Sequence, residues 1–254
     1  MSVIGVVSMK GGAGKTSTTA NLATAIASKL GSGRVNVVDL DPQNALRWHF
    51  GLESSDSAGV CKQSLLGGDW SEAMLASDFG VGCLPYGDAS EADRIAFEAL
   101  LAKNPDFIGT CLKRAKLDDD AVVLIDTPPG PTAYLKQVFA CADLVLIVLL
   151  ADAASYVTIP AMESWLDDPL MAHPLCGCFY VLNQVDSREL LNRDIAELLN
   201  QKLGDHLIPI RIHYDEAVSE ALAFQQPVLV YDPHGQASHD LARLAVWAIK
   251  TLNQ

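Results

Sequence analysis

Residues 3–19 read VIGVVSMKGGAGKTSTT: an apolar run gives way to a glycine-rich stretch, then Lys15 and Thr16 open a helix-compatible segment. Few folds accept that order. The apolar run Val3 to Val7 reads as a buried strand, and strand, glycine loop, helix is the context of a phosphate-binding loop. Glycines 11, 12 and 14 let backbone N–H groups turn inward around phosphate oxygens. Lys15 supplies a point charge for the outer phosphates, and the Thr16 hydroxyl suits Mg²⁺ at the positive end of the new helix. Two details depart from the simplest pattern. Met9 stands where G-x-x-x-x-G-K-[ST] has its first glycine, and Lys10 is a second lysine where one suffices. The competing reading is a glycine-rich turn that merely reverses the chain.

Half of the 254 residues are hydrophobic. A chain of this length buries about 70 to 75 per cent of its unfolded surface, enough for one large core. No run approaches the roughly 18 apolar residues of a spanning helix, and the N-terminus passes straight into strand and loop without a charged leader, so a cytoplasmic protein is expected. The six cysteines (61, 83, 111, 141, 176 and 178) are scattered, as small core residues would be. Cys176-Gly-Cys178 has no partner pair and makes a weak metal motif.

Apolar runs at Val35 to Val38, Val81 to Leu84, Val122 to Ile125, Leu144 to Leu150 and Phe179 to Leu182 read as parallel strands buried on both faces, with helices between. Ala20, Ala23 and Ala27 give the first helix a small-residue face for close packing. Asn104-Pro105-Asp106 reads as a cap, a first-turn proline and a dipole-favoured acid, and Asp118-Asp119-Asp120 as a solvated turn. With no linker or repeat, the expected architecture is α/β: a single doubly wound, mostly parallel sheet flanked by helices over residues 1–254. Such sheets bind ligands at the carboxyl ends of their strands. There "VVDLDPQ" places Asp39 and Asp41, and "VVLIDTPPG" places Asp126. The three carboxylates suit one metal-phosphate site, with Asp126 as Mg²⁺ holder and Asp39 and Asp41 sharing metal-water and attacking-water roles. N-capping by Asp126 and an Asp-Pro turn at Asp41 are the alternatives.

"KGGAGKTSTTANLATAIA", "VNVVDLDPQ", "VVLIDTPPG" and "IPIRIHYDEAVSEALAFQQPVLVYDP" together resemble the deviant Walker A ATPases, the ParA/MinD class, over nearly the whole chain. The resemblance implies ATP and Mg²⁺ as ligands and slow hydrolysis of ATP. It makes Lys10 the signature lysine, reaching in trans to the partner's phosphates in an ATP-dependent homodimer. Lys10, Gly11, Gly12, Ala13, Gly14, Lys15, Thr16 and Ser17 become the nucleotide loop. Asp41 becomes the residue that positions water, and Thr16 and Asp126 join Asp39, placed by its spacing, in the metal set. It also makes Asn183 an adenine-reading residue, the alternative being a turn or cap asparagine. Pro209 to Ile212 become a loop flanking the base.

Within that class, a formal net charge of −13, from 18 basic and 31 acidic residues, argues against a DNA-neutralising face. The final segment, "SHDLARLAVWAIKTLNQ", places Leu241, Leu244, Ala245, Ala248 and Leu252 on one helical face and reads as a core helix, not a membrane-lying one. "DWSEAML" with "CLPYG", "VLLADAASYVTI" and "LIPIRIHYDEAVSEALAFQQPVLVYDP" are similar to the BcsQ branch, ATPases encoded with bacterial cellulose synthase systems. That likeness implies docking on the cytoplasmic face of the cellulose secretion complex through BcsR- and BcsE-like partners, with recruitment to the inner membrane or cell pole. A ParA-type partitioning ATPase and a non-hydrolysing ATP-dependent scaffold are the alternatives.

Overall fold

The computed structural model describes residues 1–53, 58–167 and 176–253. In chain order the elements are β1 (Ser2–Val7), α1 (Lys15–Leu30), β2 (Val35–Asp39), α2 (Val60–Leu66), β3 (Leu75–Ala76), β4 (Val81–Leu84), α3 (Glu91–Lys103) and α4 (Phe107–Arg114). Then follow β5 (Val122–Asp126), α5 (Ala133–Cys141), β6 (Leu144–Leu150), α6 (Ala153–Leu166), β7 (Cys178–Val185), α7 (Leu190–Leu203), β8 (Leu207–His213), α8 (Glu216–Ala223), α9 (Val228–Tyr231) and α10 (Gln236–Leu252). A short 3-10 turn, Leu46–Phe50, follows β2.

The strands form one eight-stranded sheet in the order β3-β4-β2-β5-β1-β6-β7-β8. All pairings are parallel except β3 with β4. Every strand read from an apolar run is present, because strands covered by helices on both faces carry continuous Val, Ile and Leu instead of alternation. On β1, Ile4 and Val6 pack beneath α1 and α10, while Val3 and Val7 face the core under α2 to α7. The closeness of the second layer shows at Gly5, where an added Cβ would lie 2.2 Å from Val138 of α5.

Ala20, Ala23 and Ala27 are buried, as their spacing predicts, and so are Leu241, Leu244, Ala245 and Ala248 of α10. The six cysteines are unpaired. The 118–120 turn is exposed, and Asp120 pairs with Arg34 at 3.0 Å.

Two local expectations need correction. Asn104 closes α3, and Asp106 is the N-cap of α4 without a side-chain cap bond, so the cap lies two residues later than the sequence suggests. Pro209 to Ile212 are not a loop but the middle of β8. Proline is tolerated there because β8 is an edge strand, where a missing N–H on the free side breaks no ladder bond.

Candidate nucleotide site

The sheet reverses its winding around β1, which lies between β5 and β6, so the carboxyl ends of β1, β2, β5, β6 and β7 open on one crevice. The 8–14 loop starts there. Ser8 Oγ donates to the Lys10 carbonyl at 2.9 Å and accepts from the Lys10 amide at 3.1 Å. Gly130 donates its N–H to the Ser8 carbonyl. Space beside Gly12 is open, whereas Gly14 adopts φ 82° and a Cβ there would lie 2.3 Å from Asn183 Nδ2. That position admits only glycine without strain.

Lys15 and Thr16 open α1 at the base of the loop. Lys15 is 6% exposed; burial draws its ammonium below the usual lysine value, while Asp126 and Asp41 act in the opposite direction. The Thr16 hydroxyl donates to Asp126 Oδ2 at 2.6 Å. Asp126 is fully buried, and its other oxygen, Oδ1, has no hydrogen-bond partner. Burial raises its carboxyl to about 7, against the favourable bond from Thr16 and the charge of Lys15. An orphaned buried carboxylate oxygen beside a hydroxyl and a buried ammonium fits a divalent cation. Among the described residues no three His, Cys, Asp or Glu side chains form a protein-only cage. Mg²⁺ does not need one, since it commonly keeps waters and phosphate oxygens in its shell.

Asp39 is also fully buried but is arranged differently. Its Oδ1 accepts from the Asp41 amide at 2.9 Å and its Oδ2 from the Leu46 amide at 3.1 Å. Burial drives its carboxyl well above the ordinary value, Asp126 adds to the effect, and the two amides oppose it. Each oxygen thus accepts one N–H from the loop that carries Asp41, so Asp39 ties that loop to the end of β2. Asp41 is half-buried and accepts from the Gln43 amide at 2.9 Å.

Asn183, near the end of β7, donates its amide to the Ala13 carbonyl at 2.9 Å, tying the fifth strand of the crevice to the loop. Next to it is a cavity of about 100 Å³ lined by Ser17, Asn21, Asn183, Gln184, Ile212 and Leu222. Ile212 reaches it, but Pro209, three residues earlier on β8, is exposed and does not.

Two further residues join the site. Lys10 Nζ contacts Asp152 Oδ2 of the same chain at 2.5 Å. Asp152 also caps α6 through the Ser155 amide; burial opposes its ionisation, yet Lys10 and Ser155 hold its carboxyl below the usual value. A signal for it exists: like Asp39 and Asp126, Asp152 follows the end of a hydrophobic strand. His49 Nε2 lies 3.5 Å from Ser17 Oγ, and burial lowers its pKa to about 4. Nothing in the local sequence marks that histidine.

The sheet order and the glycine loop ahead of α1 define a class: the P-loop fold of MinD- and ParA-type proteins. The MinD septum site-determining protein of Pyrococcus horikoshii, solved with Mg-ADP, matches with a TM-score of 0.78 at 22% identity, over 97% of this chain and 95% of that one. Within that class, the chain belongs to the family described as cellulose biosynthesis protein BcsQ, whose profile matches residues 1–249. It is 27% identical to the Salmonella typhimurium BcsQ protein over 253 residues, and 29% identical to that of Escherichia coli K12 over 249. Each alignment covers 98% of this chain and 94% of the relative.

Proposed function

We propose that the chain is a single P-loop domain that binds ATP with Mg²⁺, dimerises when it does so, hydrolyses the nucleotide slowly, and serves a bacterial cellulose synthase complex. The observation that carries the proposal is Asp126: buried, with an unpartnered oxygen, next to Thr16 and Lys15 at the mouth of a glycine loop. The N–H groups of Gly11 to Thr16 cradle phosphate oxygens, and Lys15, already desolvated, contributes its charge. Thr16 and Asp126 would hold Mg²⁺, which supplies charge neutralisation between the outer phosphates. Asp41, held by Asp39, orients the attacking water, and Asn183 with the small cavity beside it receives the base.

Lys10 leaves Asp152 to reach the phosphates of a second copy. Trans-acting cations in phosphoryl transfer are worth about 10³ to 10⁵ in rate, so the lysine couples dimerisation to turnover. The family assignment directs the cargo toward the cellulose machinery, with BcsR- and BcsE-like proteins as docking partners and recruitment to the inner membrane or pole through them. Among the described residues no helix is long and apolar enough to cross a membrane.

Phosphate release and light scattering test the site together. Lys15→Ala should bind no nucleotide, Lys10→Ala should bind ATP but stay monomeric, and Asp41→Ala should dimerise without releasing phosphate. Tight ATP retention by the wild type without release would replace the hydrolytic reading with that of a nucleotide-dependent scaffold. Deletion in the source organism should lower cellulose dye binding, with restoration by wild type and not by Lys15→Ala; unchanged dye binding would reject the cargo.

A further inference from the structure

The charge of this chain is unevenly spread. Against a net charge of −13, the outward face of α10 carries His239, Arg243 and Lys250, at helical spacings of four and seven, and Lys29 of α1 stands beside them. All four are exposed. They line a shallow groove of about 510 Å³ whose lining contains no acid. Among the described residues, Lys29, Arg243 and Lys250 have no carboxylate within ion-pair distance. Six of the 18 bases do, Lys10, Arg34, Arg94, Arg188, Arg193 and Lys202, and other bases such as Lys113 and Arg114 do not, so the groove is distinguished by its acid-free lining. Three basic side chains and a histidine that share one groove with no acid in its lining present a site for negative charge.

The same groove is partly apolar. Val246, 38% exposed, sits between the cations on the ridge of α10, and Ile210 and Trp247 form one wall. Trp247 is fixed edge-to-face against Phe179, with ring centroids 5.1 Å apart, so the wall is rigid. A bilayer would need an apolar stripe turned outward, but the apolar side of α10 is buried in the core. A nucleic acid backbone would use the cations, leave the apolar wall unused, and meet the repulsion of the remaining charge. A helix carrying carboxylates along one flank and apolar residues along another uses both parts of the groove.

We propose that the outward face of α10, bordered by Lys29 and Ile210, docks an acidic amphipathic helix of a partner protein. The surface lies away from the nucleotide crevice: Lys15 and Lys29 mark opposite ends of α1, roughly 20 Å apart at 1.5 Å per residue. Docking there stays open whether or not the nucleotide face is covered by a second copy. It is thus independent of the Lys10 and Lys15 chemistry proposed above.

The test is a photocrosslink from p-benzoylphenylalanine at position 246 of the full chain in the source organism, with position 66, exposed at the far side of the sheet, as control. The expected result is one protein adduct from position 246, absent from position 66, whose crosslinked peptide maps by mass spectrometry to an acidic helical segment. Arg243→Glu with Lys250→Glu should reduce it about tenfold or more, and changing the mapped acids to lysine should restore it. Lys29→Glu, on a different helix, should weaken it independently, and Lys15→Ala should leave it unchanged. Circular dichroism of the charge variants separates lost docking from lost folding. An adduct to lipid, to nucleic acid or to a second copy of this chain, an adduct indifferent to charge reversal, or none at all, would overturn the proposal.

Discussion

Replacing Asp126 with asparagine should flatten the pH dependence of stability of the nucleotide-free protein. In the fold the Asp126 carboxyl titrates near 7 instead of the ordinary 3.8, chiefly because it is buried. Below about pH 4 it is protonated in both folded and unfolded chains and contributes no difference. As pH rises toward 7 the unfolded chain releases its proton while the folded chain keeps it, so stability is lost across that window, and above 7 the loss is complete. Between pH 5 and 7 two pH units, each worth rather more than about 1 kcal/mol, give a ceiling of about 3 kcal/mol. Asp39, paired opposite Asp126 across β2 and β5, shares the burden of the buried charge, which brings the expected effect to about 2 kcal/mol.

The assay is urea or thermal unfolding of wild type and Asp126→Asn at pH 5 and pH 8, in chelator and without nucleotide. Wild type should lose about 2 kcal/mol more than the variant between the two conditions, or roughly 4–8 °C in melting temperature for a chain of this size. Any constant cost of the new amide cancels in that difference. Equal pH slopes would refute the reasoning, because they would mean that Asp126 is either ionised in the resting fold or already neutralised by Lys15.

Gly14→Ala should destabilise the fold by about 2–3 kcal/mol in urea, from the left-handed backbone together with the displaced Asn183 bond. His49→Gln should remove an acid-side loss. The buried imidazole stays neutral down to about 4, so wild type keeps that stability above pH 6.5 and loses about 3 kcal/mol as pH falls through 4, visible as the slope of melting temperature against pH. Asp152→Asn, which retains an α6 cap but frees Lys10, should lower the protein concentration needed for the ATP dimer, by up to about fivefold per released lysine in light scattering, one weak ion pair being worth about 1 kcal/mol or less.

The fold was legible where the local sequence and the global packing make the same demand. Continuous Val, Ile and Leu runs can be satisfied only between two helical layers, so five central strands and β1 were readable to within a few residues. β8 was not, because LIPIRIH mixes a proline, an arginine and a histidine into its apolar positions. That composition suits an edge strand, and edge position is a property of the sheet order. That Lys15, Thr16 and Asp126 come together was readable because each stands at a strand or helix end. Asp39 and Asp41 look equivalent in sequence, and only the structure shows that Asp39 is fully buried and takes the amides of Asp41 and Leu46, whereas Asp41 is half-buried and takes that of Gln43.

Lys10 shows why the rest of the site could not be read from residue types. A lysine at the end of a strand announces a charge and leaves open which acceptor takes it. In this chain the acceptor is Asp152, 142 residues away. Because the two side chains are 30% and 38% exposed, solvent screens the pair to about 1 kcal/mol or less. That strength suits a reversible contact: sufficient to park the lysine in cis, yet small beside charge-assisted bonds to a desolvated phosphate. A fully buried Lys–Asp pair would have held Lys10 too firmly for exchange, since removing either partner from such a pair costs about 3–5 kcal/mol. The half-exposed position of Asp152 at the start of α6 therefore matters as much to the proposed trans contact as the lysine itself.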